Sequence, residues 1–234
     1  CKKVEKAGRS YSVILLEACK NPAQAVVFRD IRVSSFGTPV APKFVNTGSL
    51  DLDVREFRPF GDTLALYEEV YIGEDEYFHK PDARITIRFQ LRLEENSIYL
   101  TKHEEEESLK IIKRKPRVLI TEVMADTYVD EVVLEYYNGT GWKQLECEKS
   151  YGQIFRTEKS RECEISFLCP EDWQEQTIGG DNGRCIRLQV LKADNCYLRP
   201  CTHHYPVITD MQIAYAYDGQ IFRPEYLERL SGTQ

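Results

Sequence analysis

Arg84-Ile85-Thr86-Ile87-Arg88-Phe89-Gln90-Leu91-Arg92-Leu93 alternates polar and apolar residues without a break. Successive side chains of a strand point to opposite faces. This stretch therefore puts Ile85, Ile87, Phe89, Leu91 and Leu93 on one buried face and the arginines in water. A strand with one wet face belongs to an antiparallel sheet. Glu162-Cys163-Glu164-Ile165-Ser166-Phe167 repeats the pattern. So does Arg184-Cys185-Ile186-Arg187-Leu188-Gln189-Val190, with one break at Ile186. Ser10 to Leu16, Ala25 to Val33, Leu66 to Ile72 and Val129 to Tyr137 are also rich in strand formers. Asn138-Gly139-Thr140-Gly141 separates Glu135-Tyr136-Tyr137 from Trp142-Lys143-Gln144-Leu145 and reads as a hairpin turn. Gly179-Gly180-Asp181-Asn182-Gly183 reads as a second loop. Only Lys102 to Lys113 reads as helical, and its acidic run predicts a charged surface insertion around 100–113. The expected fold class is all-β: an antiparallel β-sandwich, jelly-roll or immunoglobulin-like.

The 234 residues suffice for one large sandwich with its own core, and 42% of them are hydrophobic, which argues against wholesale disorder. The formal net charge of -7 repels phosphate backbones, so nucleic acid is not an expected partner. No apolar run approaches the ~18 residues of a membrane helix. Cys1-Lys2-Lys3-Val4-Glu5-Lys6 lacks both a starting Met and the apolar stretch of a leader, so the chain is expected to begin inside a longer reading frame. The eight cysteines show no Cys-x-x-Cys spacing, and several lie in strand-like text. That usage points to a reduced, cytoplasmic protein.

Two pairs of segments echo each other. Gly8 to Ala18 is similar to Gly183 to Ala193, and Val27 to Val33 is similar to Val207 to Ile213. The two offsets differ by five residues, and their order implies tandem β-modules. On this reading residues 1–56 hold the end of one module and a linking region, 57–205 form the main sandwich, and 206–234 begin a following module.

No constellation predicts catalysis. The nucleophile elbow, the Walker loop and the dinucleotide-binding glycine pattern are all missing from the sequence. Cys196, Cys201, His203 and His204 place two thiols and two imidazoles within nine residues, the nearest approach to a zinc set. All four crowd one loop, whereas zinc sites usually join two separated pairs, so ordinary loop residues are the preferred reading and a Cys196–Cys201 disulfide a minor one. Asp126, Asp130 and Glu131 could contribute to a calcium site but lack EF-hand spacing. No cofactor is expected.

The order of several short motifs carries a resemblance. Phe57-Arg58-Pro59-Phe60-Gly61-Asp62 is followed by Val70-Tyr71-Ile72-Gly73 and Tyr77-Phe78-His79-Lys80-Pro81-Asp82-Ala83. Then come Glu135-Tyr136-Tyr137-Asn138-Gly139-Thr140-Gly141-Trp142, Ile165 to Trp173, and the Gly183-Arg184 strand. This succession resembles the repeated β-region of baseplate assembly proteins, similar to baseplate-J wedge proteins, from contractile phage tails and related injection particles. Asp82 stands where that family usually has glycine, Arg184-Cys185-Ile186 lacks its usual tryptophan, and the acidic insertion after Leu93 is long. The resemblance implies a non-catalytic structural module whose partners are other baseplate and tail proteins. It implies a bacterial cytoplasmic location, assembled into a phage-tail-like particle. The alternative is a carbohydrate-binding sandwich, with Tyr137 and Trp142 as the ligand face and a glycan as partner. Phe60, Tyr71, Phe78, Trp142 and Trp173 are otherwise expected to close the ends of the sandwich.

Overall fold

The structure is a computed structural model. It describes residues 2–6, 9–13, 31–99, 125–157 and 159–222, with side chains described within 34–217. The helical reading of Lys102 to Lys113 and the segment Ala25 to Asp30 lie outside the described residues, as do Cys1, Cys19 and His103. The chain divides into two units. One holds the two chain ends, Cys1–Val33 and Gly219–Gln234; the other is Ser34–Asp218. In the first, β1 (Lys2–Lys6) and β2 (Arg9–Val13) form an antiparallel pair.

The larger unit is an antiparallel sandwich. Its first sheet holds β4 (Phe44–Asn46), β6 (Glu69–Gly73), β9 (Glu131–Tyr137), β10 (Trp142–Gln144) and β14 (Cys185–Lys192), in the order β10-β9-β14-β6-β4. Its second holds β3 (Ile31–Phe36), β7 (Arg84–Ile98), β11 (Arg161–Leu168) and β15 (Cys201–Phe222), in the order β11-β7-β15-β3. Two short strands join it at β15: β5 (Glu56–Phe57), antiparallel, and β8 (Ala125–Tyr128), parallel. A small hairpin of β12 (Gln176–Ile178) and β13 (Asp181–Gly183) follows β11.

The alternation of β7 buries the expected face. Ile85, Ile87, Phe89 and Leu91 are all 3% exposed or less, and Leu93 is half-buried where the strand runs out of the core. On β11 buried Phe167 lies beside Ile85, Ile165 beside Ile87 and Cys163 beside Phe89, while Leu91 finds its buried neighbour, Ile208, on β15. Val70, Ile72, Leu134, Ile186 and Leu188 of the first sheet meet them in one continuous cluster. Every such side chain moved out of water contributes on the order of 1.5–3 kcal/mol. On the wet face the arginines pair with carboxylates of neighbouring segments: Arg84 with Glu148 in a bend, Arg88 with Glu164 on β11 and Arg92 with Glu56 on β5.

The compact unit is wider on both sides than the 57–205 module read from the text. Phe44 and Val45 are buried strand residues paired with β6. β15 runs across residue 206 without interruption and buries Val207, Ile208, Met211 and Ile213. The two echoing segments 183–193 and 207–213 thus belong to one sandwich, because the turn between β14 and β15 folds the chain from one sheet into the other.

β15 contains a bulge. Ile208 pairs with Leu91 and Ile213 with Ile87, so five steps along β15 cover four along β7. The extra residue lies between Thr209 and Gln212, where Asp210 takes φ 53. A short polar side chain tolerates that left-handed backbone, and the bulge reverses which face later residues present. Asp82 also takes a left-handed φ, 63, in the turn that leads into β7.

The hairpin over Asn138 to Gly141 forms as expected. Gly139 takes φ 92, and the Asn138 side-chain oxygen accepts from the backbone N–H groups of Thr140 and Gly141. Phe60, Phe78 and Trp173 are buried in the core. Tyr71 and Trp142 instead lie on the outer face of the first sheet.

Candidate functional site

That outer face follows from strand parity. Val70, Ile72, Leu134, Ile186 and Leu188 point to the core, so their neighbours Glu69, Tyr71, Glu135, Arg187 and Gln189 point outward. Trp142 pairs with Tyr137 and Gln144 with Glu135, which puts Trp142 and Gln144 on the same side. Arg187 sits in the middle row, opposite Tyr71 on one side and Glu135 on the other.

Its guanidinium donates from Nε and Nη2 to Glu135 Oε2, at 2.9 and 2.6 Å. Nη1 lies 3.5 Å from Glu69 Oε2. Tyr71 donates its hydroxyl proton to Glu69 Oε1 at 2.5 Å. Burial and that carboxylate together hold the Tyr71 phenol well above its ordinary range. The Arg187 guanidinium carbon lies 4.5 Å from the centre of the Trp142 ring. Tyr71 and Tyr137 flank the same indole at 5.6 and 5.9 Å between ring centres. The result is a rigid aromatic and ionic cluster: a guanidinium held between two carboxylates and laid on a tryptophan.

Beside the cluster the face is roofed. Phe44, Tyr71, Ile178 and Cys185 form a second small apolar cluster with Trp142 against it. Burial pushes the Cys185 thiol up to about 12. Gly73 lies under the Phe44 ring, and a Cβ there would sit 2.1 Å from a ring carbon, so only glycine fits. Next to this roof is an open cleft of about 580 Å³. Its charges are paired within the protein: Lys43 with Asp75 and Arg184 with Glu175, while Asp181 accepts from the Asn46 amide.

The structure thus brings Tyr137 and Trp142 together and adds Arg187, Glu135, Glu69 and Tyr71 to them. It separates the thiol and imidazole residues. His203 and His204 are neighbours in β15 and point to opposite sides. His203 is fully buried, and its Nδ1 accepts a hydrogen bond of 2.8 Å from the Leu64 backbone N–H. The neutral ring then carries its proton on Nε2, so neither nitrogen offers a lone pair to a metal. His204 stacks flat on Tyr128, 4.3 Å between ring centres, with Nε2 3.0 Å from Asp126 Oδ1. Cys201 is buried and Cys196 half-buried, both as free thiols.

Asp126, Asp130 and Glu131 diverge as well. Asp130 is buried and accepts from the Asp194 backbone N–H, Asp126 faces His204, and Glu131 is exposed. Among the described residues no group of three or more His, Cys, Asp or Glu side chains is placed to hold a metal ion. No described helix is long and apolar enough to cross a membrane. Compared with known proteins, the chain matches no family model, no curated protein and no solved structure.

Proposed function

We propose that this chain is a structural, non-catalytic module of a phage-tail-like baseplate that engages other baseplate and tail proteins. The observation that carries this reading is how the sandwich is entered and left. The Gly37 N–H donates to the Tyr215 carbonyl at 3.0 Å, and Val40 bridges Ile213 in antiparallel register. The two ends of the unit run side by side, as in a module carried on a larger scaffold. Two further features fit. Asp82 holds a left-handed backbone at the position where the resembled family carries glycine. The outer face of the second sheet is a ladder of arginine–glutamate pairs. Exposed pairs of this kind add about 0–1 kcal/mol each to stability, but they select which surfaces can approach. The test is fractionation. When tail-like particles from the source cells are purified by sedimentation, mass spectrometry is expected to find this chain in fixed ratio to sheath and spike proteins. Recovery only in the non-sedimenting fraction would sink the proposal.

A second reading, glycan binding, is favoured by the Trp142 cluster. An indole edge beside a fixed guanidinium–carboxylate pair suits the apolar face and the hydroxyls of a neutral sugar. Titration calorimetry against a panel of neutral oligosaccharides is its test. Millimolar or tighter binding, lost in Trp142→Ala, is the expected result of this reading, and no heat from any glycan against the unaltered protein ends it.

A further inference from the structure

The geometry points to a second property, independent of either reading. We propose that His203 is an acid-sensitive latch between β15 and the segment leading to Leu64: its neutral ring holds Leu64, and protonation releases it. The argument starts from hydrogen-bond arithmetic. Nδ1 accepts the Leu64 N–H at 2.8 Å, across 139 residues of sequence. A neutral imidazole has one acceptor nitrogen, and an imidazolium has none. Adding a proton to His203 must therefore break that bond and set two N–H groups against each other.

Among the described residues nothing pairs with the new charge. His203 has 0% exposure. Its other nitrogen, Nε2, is buried with no hydrogen-bond partner among the described residues. Thr127, beside it in the β8–β15 register, is equally buried, and its hydroxyl is also without a partner. The charged and titratable groups on the surrounding elements do not rescue it. On its own strand and the preceding loop, His204 and Arg199 oppose a positive charge, and the Cys201 and Cys196 thiols are held neutral by burial. On β7, Glu94 is taken by Arg58, Arg92 and Tyr205, and Glu95 faces His204. On β8, Asp126 is bonded to His204. On the Leu64 segment, Asp62 is exposed. Burial thus holds the imidazole below its ordinary range. The unfolded chain takes up the proton near pH 6.5 while the folded ring resists it. The latch is therefore complete above that value and weakens as pH falls below it.

Hydrogen exchange on the full chain tests this at single-residue resolution. The protection factor of the Leu64 amide is expected to fall about tenfold or more between pH 7 and pH 5. In His203→Asn the side-chain carbonyl takes the place of Nδ1 as acceptor and does not titrate, so Leu64 protection should be flat over the same range. The unaltered protein also suffices on its own. Its Leu64 loss must begin near pH 6.5 while the native His203 ring still reads as neutral by NMR, and level off where that ring takes up its proton. Unchanged Leu64 protection from pH 7 to pH 5, or a loss that follows His79 or His204 instead, overturns the proposal.

Discussion

Trp173→Ala is expected to lower the stability of the sandwich by about 3–5 kcal/mol, the largest effect of any single truncation considered for this molecule. Trp173 is 2% exposed. It stacks on Phe78 at 4.7 Å and 14° between ring planes, and it also touches Tyr136 and Phe167. It therefore joins the turn before β7, strand β9 and strand β11 in one contact. The cavity left by an indole is too large for these elements to collapse into, since β9 and β11 are each fixed by their own ladder. Its backbone carbonyl also accepts from Arg184 Nε, so any shift of the Trp173 loop is felt at the link between β13 and β14. For a unit of this size the cost corresponds to a fall of roughly 10 °C in melting temperature. Thermal melting followed by near-ultraviolet circular dichroism measures it, and a fall of less than about 3 °C would show that the core does not depend on this ring.

Arg187→Met is expected to cost about 2–4 kcal/mol, for a different reason. Methionine keeps the apolar stem and loses the guanidinium, with its charge and its hydrogen bonds to Glu135. The Arg187 and Glu135 side chains are 17% and 16% exposed, so the pair is shielded although it lies on an outer face. Removing one partner of a shielded pair leaves the other charge desolvated, which costs more than the pair itself is worth. Here two carboxylates, Glu135 and Glu69, would lose their common cation. The double variant Arg187→Met with Glu135→Gln should therefore be more stable than Arg187→Met alone. A coupling energy of more than about 1 kcal/mol in that cycle is the expected result, and additivity within about 0.3 kcal/mol would show that Trp142 and Tyr71, not the ion pair, hold the face together.

Much of the fold could be read from residue order because it rests on local alternation. Arg84 to Leu93 announced a half-buried antiparallel strand, and the Asn138 turn announced the β9–β10 hairpin. The break at Ile186 was also a true signal. Cys185 and Ile186 are both buried because Cys185 points outward under the roof of Phe44 and Ile178, while Ile186 points to the core. Tyr137 and Trp142 could be paired from the hairpin spacing. Arg187 could not be joined to them, because it lies 52 positions from Glu135 and its partners come from separate strands. The role of His203 was equally hidden. Its sequence neighbours are thiols and a second histidine, which suggest a metal. Its partner is a backbone amide 139 positions away, which no side-chain pattern records. The length of β15 was hidden for a related reason: Cys196 to His204 reads as a loop, yet Cys201, His203 and His204 already belong to the strand that continues through Ile213.

The side-by-side exit of the sandwich bears on the rest of the polypeptide. A flexible loop of roughly 185 residues would carry a closure entropy of about 4–5 kcal/mol for holding its ends together. In this unit the ends are already joined by the Gly37–Tyr215 and Val40–Ile213 contacts. To the chain on either side, the whole sandwich is therefore no wider than the gap between two neighbouring strands. Its size adds nothing to the entropy that must be overcome when the flanking segments come together.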